Sequence, residues 1–167
     1  MKNEITGMRL RLIVMNFLQF AVWGAYLTSM GTYLFNIGLG AKIGLFYAMQ
    51  GIVSLFMPAI MGIIADRWVP AQKLYGFCHF MAAVFMVAAG WYGYVDGEAV
   101  SFGTLFTFYS LSVAFYMPTL ALTNSVAYTA LDKVKLDPVI AFPPIRIFGT
   151  IGFICSMLLT DILGFQN

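Results

Sequence analysis

The stretch Phe142-Pro-Pro-Ile-Arg146-Ile-Phe-Gly149-Thr150-Ile-Gly152-Phe153 opens the last apolar segment of a 167-residue chain. It carries the only arginine inside a segment long and apolar enough to cross a bilayer. A charge at that depth costs about 2.5–3.5 kcal/mol on insertion scales, so a partner or a function must offset it. Pro143 and Pro144 suit the start of a helix, where their missing N–H groups leave nothing unpaired. Counting from there at about 100° per residue, Arg146, Thr150 and Phe153 stand at i, i+4 and i+7, on one face. Gly149, Gly152 and Ser156 line the adjacent face, where a neighbouring helix can approach closely. A fixed cation, a hydroxyl and an aromatic ring in one stripe suit a polar ligand with a flat ring. The competing reading makes Arg146 an anchor, paired with a carbonyl or carboxylate near the cytoplasmic end.

Outward from this stretch, the composition places the whole chain in a membrane. Apolar residues make up 61%, aromatics 17% and charged residues only 10%, against about 25% charged in a soluble domain. Five apolar segments follow one another, at about 12–34, 44–65, 74–94, 103–128 and 145–163. Each is near or above the roughly 20 residues needed to span. The expected fold is an all-α, polytopic membrane helix bundle. The first segment is too long for the h-region of a signal peptide, about 7–15 residues, so it reads as a span that stays. Cys78 and Cys155 both lie inside apolar segments, as buried and inert thiols rather than a disulfide framework.

The connections hold nearly all the charges, and Gly38 and Gly40 mark a turn in the first of them. The N-terminus and the connections 66–73 and 132–141 carry Lys2, Arg9, Arg11, Arg67, Lys73, Lys133 and Lys135. The opposite side carries Lys42, Arg146 being intramembrane. This asymmetry puts the N-terminus in the cytoplasm, and an odd number of spans puts the other end outside. The sequence stops at Gln166-Asn167, directly after a span, so a fragment of a longer membrane protein is expected.

Other polar groups inside the spans need partners. Asn16, Gln19, Trp23 and Tyr26 share a face of the first span, which looks into protein or a wet cavity, or only bonds between helices. In the second span Gly51, Ser54, Pro58 and Gly62 form a small-residue face suited to close packing, and Pro58 is expected to bend it. His79, the single histidine, is either a proton-carrying group or a neutral hydrogen-bonding one. Pro118 interrupts the fourth span. Tyr116, Thr119 and Thr123 share a face there, beside Asn124 and Tyr128, and their hydroxyls serve either the broken helix ladder or a substrate.

The sequence shows no metal-ligand cluster, no Gly-rich phosphate loop and no nucleophile motif, so neither a cofactor nor a membrane enzyme is indicated. Basic residues in flanking loops without interleaved aromatics exclude nucleic acid as a partner.

Gly62-Ile-Ile-Ala-Asp66-Arg67 resembles the cytoplasmic loop motif between spans two and three of the major facilitator superfamily. Trp68 and Val69 depart from the fuller motif, and Lys73 is the only further cation, which weakens any multi-arginine gate. The closer resemblance is to the bacterial nucleoside:proton symporters of that superfamily. It runs through Phe17-Leu-Gln19-Phe, Trp23-Gly24, Phe56-Met-Pro58-Ala, Cys78-His79 and Tyr116-Met-Pro118-Thr-Leu-Ala-Leu-Thr-Asn124. It is most specific in Phe142–Phe153, where Phe148 stands in place of the family's tryptophan.

The resemblance implies twelve spans in two six-helix halves, with a nucleoside bound between them and a proton as the coupled ion. Residues 1–167 would be five spans of the first half, with the second half absent. It places substrate contact on Arg146, Thr150 and Phe153, with Gln19 and Trp23 as further contacts. Gly62, Asp66 and Arg67 would form the conformational gate. No span core contains Asp or Glu, so the coupling carboxylates would lie in the absent half. Two alternatives stand beside this reading: a transporter of another polar solute such as a sugar, and a non-transporting membrane scaffold.

Overall fold

In a bilayer every backbone polar group must be satisfied internally, which leaves helices as the default for spans this apolar. The computed structural model describes residues 2–96 and 99–164. The Lys2 side chain, the middle of the 96–101 connection and the closing Gln166-Asn167 lie outside the described residues. Five helices follow in order: α1 (Lys2–Asn36), α2 (Ile43–Arg67), α3 (Ala71–Asp96), α4 (Phe102–Lys133) and α5 (Pro138–Ile162). All five are long and apolar enough to cross a membrane. At about 1.5 Å per residue, even the shortest exceeds the roughly 30 Å hydrocarbon core. Large apolar side chains such as Leu55, Val87, Trp91 and Ile147 point outward, as lipid rather than water would favour.

The turn expected at Gly38 is present, with Gly38 at φ 79° and Leu39 N–H bonded to the Leu34 carbonyl at 2.8 Å. A short 3-10 turn at Gly40–Lys42 leads into α2. Helix α4 ends with Lys135 in the left-handed region, φ 59°, while Leu136 N–H returns to the Leu131 carbonyl at 3.1 Å.

The chain forms two compact units, Met1–Tyr33 with Thr123–Asn167, and Leu34–Leu122. In the first, Leu12 of α1, Ala127 and Leu131 of α4, and Ala141, Phe142 and Ile145 of α5 make an apolar core. Above it α1 and α5 run backbone against backbone. A Cβ at Gly152 would overlap the Phe17 carbonyl oxygen, and one at Gly24 would overlap the Phe153 carbonyl oxygen. Glycine is required at both places. The small face expected on α5 does bring a helix close, and that helix is α1.

In the second unit Phe46 is fully buried against the rings of Phe102, Phe106 and Tyr109. Met61, Leu74, Cys78 and Leu122 form a further cluster. Ser112 of α4 donates to the Ala82 carbonyl of α3 at 2.7 Å, a cross-helix bond of the kind that fastens membrane helices. His79 Nδ1 lies 3.0 Å from the Tyr75 carbonyl, with its ring between those of Tyr75 and Tyr116. That is the hydrogen-bonding role considered above.

Three expectations need correction. Pro143 and Pro144 lie inside α5, which begins at Pro138; Asp137 caps it by accepting from Val139 N–H at 2.9 Å. The capping aspartate with proline at the first position is the stronger start signal. The small face of α2 is not a packing face among the described residues: Gly51 and Gly62 have open space within 4 Å. Helix α2 instead buries Phe46, Val53 and Met61, with Phe46 against the rings of α4 and Met61 in the cluster with Leu74 and Cys78. Of the two free thiols, Cys78 is buried and Cys155 is exposed, because Cys155 lies on the face of α5 turned away from α1.

Candidate functional site

The close approach of α1 and α5 sets the geometry around Arg146. With glycine at 149 and 152, no side chain separates the helices, and the ring of Phe20 reaches under the Arg146 guanidinium. The Arg146 Cζ lies 3.8 Å from the Phe20 ring centroid, well inside the roughly 6 Å range of cation–π attraction. The anchor reading called for a carboxylate or carbonyl on Arg146; among the described residues the contact recorded is the ring.

Aromatic contacts continue along the seam. Phe20 and Trp23 have centroids 6.2 Å apart, and Trp23 meets Phe153 edge-on at 6.0 Å. Of the stripe expected on α5, Arg146 and Phe153 are half-buried and joined through these two α1 rings, while Thr150 is exposed. The Trp23 indole N–H is buried and has no partner among the described residues. Gln19 and Asn16 are fully buried on the same face of α1. The Asn16 amide donates to the Leu12 carbonyl at 2.9 Å, and its own oxygen is unpartnered among the described residues.

The structure therefore brings Arg146, Phe153 and Trp23 to one seam through Phe20, with Thr150 exposed at its edge and Gln19 buried on the Trp23 side of α1. Gly62, Asp66 and Arg67 belong to the other unit, where Asp66 and Arg67 are exposed at the C-terminal end of α2. On α4, Thr119 and Thr123 are both buried, and the carbonyl that Pro118 leaves without its helix donor is that of Ala114. Thr119 is buried and donates to the Tyr116 carbonyl of its own helix at 2.6 Å. Phe20 was not singled out by sequence reasoning. Its position four residues after Asn16 and three before Trp23 puts it on the polar face, but a phenylalanine in a span ordinarily reads as lipid-facing or core.

A cavity of about 600 Å³ opens elsewhere, lined by Asn3, Glu4, Met8, Arg11, Lys133 and Lys135 among others. Its walls are charged helix ends and it shares no residue with the Arg146 seam, so it is not the place for a flat, apolar-faced ligand. No group of three or more His, Cys, Asp or Glu that could hold a metal occurs among the described residues.

Comparison with known proteins places this arrangement. The family model described as nucleoside H+ symporter matches residues 6–166. Xanthosine permease of Escherichia coli (strain K12) is 43% identical over 157 residues, covering 92% of this chain and 36% of its own length. Nucleoside permease NupG of the same organism is 39% identical over 163 residues, 96% of this chain and 37% of its own length. A crystal structure of the nucleoside transporter NupG superposes on 95% of this chain with a TM-score of 0.83 and 38% identity. A mutant of that transporter gives 0.86. The chain spans a little over a third of the length of these relatives, and its helices have the major facilitator fold that the loop motif resembles. With the match running across almost every described residue, the chain belongs to the nucleoside H+ symporter family.

Proposed function

We propose that the complete protein imports nucleosides with protons across the bacterial inner membrane by alternating access of two helix bundles. Its N-terminus lies in the cytoplasm. Arg146, Thr150 and Phe153 contact the nucleoside, together with Gln19 and Trp23, and Gly62, Asp66 and Arg67 form the switching gate. Residues 1–167 supply five spans of one half, and the proton-coupling carboxylates lie in the other half.

The observation that carries this reading is the state of Arg146. An intramembrane cation is expensive unless something uses it. Here its charge is eased by an aromatic face, which leaves the N–H donors free for ribose hydroxyls or base carbonyls. The flat ring of Phe153 stands two turns along the same helix. The relatives named for nucleosides and xanthosine support the same ligand class.

Two measurements on the complete reading frame test it. Uptake of radiolabelled uridine is expected to collapse when a protonophore removes the gradient. Binding of uridine to purified Arg146→Lys protein is expected to weaken about ten- to a hundredfold, the loss of one charge-assisted hydrogen bond. Unchanged affinity in a well-folded Arg146→Lys variant defeats the site assignment, and uptake of sugars in place of uridine defeats the substrate class.

A further inference from the structure

Why an arginine at this depth faces a phenyl ring rather than a carboxylate has a chemical answer. A carboxylate would neutralise the guanidinium fully and occupy two of its N–H donors. An aromatic face attracts the cation through its quadrupole and consumes none of them. The charge is held in place while its hydrogen-bonding edge stays available.

The geometry around Phe20 fits that task. Phe20 is 7% exposed, so its own ring is covered and offers no face to a ligand. The Arg146 guanidinium lies over it at 3.8 Å. Both fit because position 149 has no side chain: a Cβ there would stand 2.6 Å from Phe20 Cδ2 and 2.8 Å from Arg146 Nη1. The glycine opens the slot that ring and guanidinium share. Phe20 also meets the Trp23 ring of its own helix, which in turn meets Phe153. The four side chains form one continuous contact from the cation to the aromatic end of the stripe.

We propose that Phe20 is a positioning residue of the nucleoside site: buried in α1, it clamps the Arg146 guanidinium of α5 through the gap left by Gly149 and aims the N–H donors at the ligand. This rests on the reading that Arg146 contacts the nucleoside. Pre-organised donors bind more tightly because less freedom is lost when the ligand arrives. The strength of a cation–π contact, from exposed to desolvated, corresponds to about two- to thirtyfold in affinity.

The test is a double-mutant cycle on uridine binding to the complete purified protein, with thermal unfolding recorded for each variant. Phe20→Leu keeps an apolar side chain but removes the ring, and it is expected to weaken binding by about two- to thirtyfold. Phe20→Tyr keeps the ring and is expected to restore affinity. In an Arg146→Gln background Phe20→Leu is expected to change nothing further, because no cation is left to clamp. Phe20→Met replaces the leucine variant if that protein does not reach the membrane. An equal loss from Phe20→Leu in both backgrounds makes the ring merely structural and overturns the proposal, as does a Phe20→Leu variant with full affinity. If Arg146→Gln alone binds uridine normally, the site reading falls and takes this inference with it. The first two outcomes leave Arg146 in the site and remove only Phe20.

Discussion

Gly152→Ala puts the seam between α1 and α5 to its most direct trial. The added methyl group would overlap the Phe17 carbonyl oxygen and sit 2.9 Å from the carbonyl carbon and 3.0 Å from Cα of Phe17. Carbon atoms rest at about 3.5–4.0 Å, so the two backbones must part locally by about 0.5–1 Å. Backbone atoms cannot rotate aside as a flexible side chain would. Over-packing typically costs about 1–3 kcal/mol, and this case belongs toward the upper end. A gap of that width also forfeits a quarter to a half of each neighbouring dispersion contact, including those flanking Phe20 and Arg146. Gly76→Ala and Gly90→Ala on α3 are the controls, because a Cβ at either position meets nothing within 4 Å. There alanine gains up to about 1 kcal/mol of helix propensity. Thermal unfolding of the purified complete protein in detergent reads all three. Gly152→Ala is expected to unfold at clearly lower temperature than the parent, and the controls at or above it. If Gly152→Ala matches its controls, the helices do not approach as described and the argument about the seam is wrong.

Other consequences follow for the same protein. Thr150→Val removes a neutral hydroxyl and is expected to weaken uridine binding by only about two- to tenfold. Phe153→Ala is expected to weaken purine and pyrimidine nucleosides alike, by about tenfold, since a stacked ring reads the flat face of any base; calorimetry with uridine and adenosine checks both. Asp66→Asn is expected to slow uptake while leaving equilibrium affinity within a few-fold, and a large loss of affinity in a folded protein would move Asp66 into the site. With Cys78 and Cys155 replaced, an impermeant thiol reagent is expected to label Lys42→Cys but not Lys133→Cys in intact cells; the reverse pattern inverts the topology.

The five helices were legible because uninterrupted apolar runs allow no other backbone arrangement in lipid. The adjacency of Gly149, Gly152 and Ser156 to the Arg146 stripe was legible too, since helical periodicity fixes which residues share a side. What periodicity does not fix is the identity of the facing helix. Gly51 and Gly62 repeat the small-residue spacing of α5 as well as any stretch in the chain, yet among the described residues nothing approaches them. Phe20 was hidden for a similar reason. Its contact is with a cation 126 positions away in the chain, and only folding brings the two together. The helix start was misplaced because two prolines are a louder signal than one aspartate, although only Asp137 has a side chain able to cap an N–H.

Those two internal prolines have a mechanical consequence. Lacking N–H groups, Pro143 and Pro144 cannot bond back to the carbonyls of Val139 and Ile140. Two consecutive rungs of the α5 ladder are therefore missing between its first turn and the body that bears Arg146. Val139 and Ile140 are among the most exposed apolar residues described, whereas the next two, Ala141 and Phe142, are buried in the core with Leu12 and Leu131. At this point α5 is held less by its own ladder than by the burial of Ala141 and Phe142 in the core shared with α1 and α4. A proline pair of this kind is where a helix can change direction at least cost to its hydrogen bonds, outside the segment that bears Arg146.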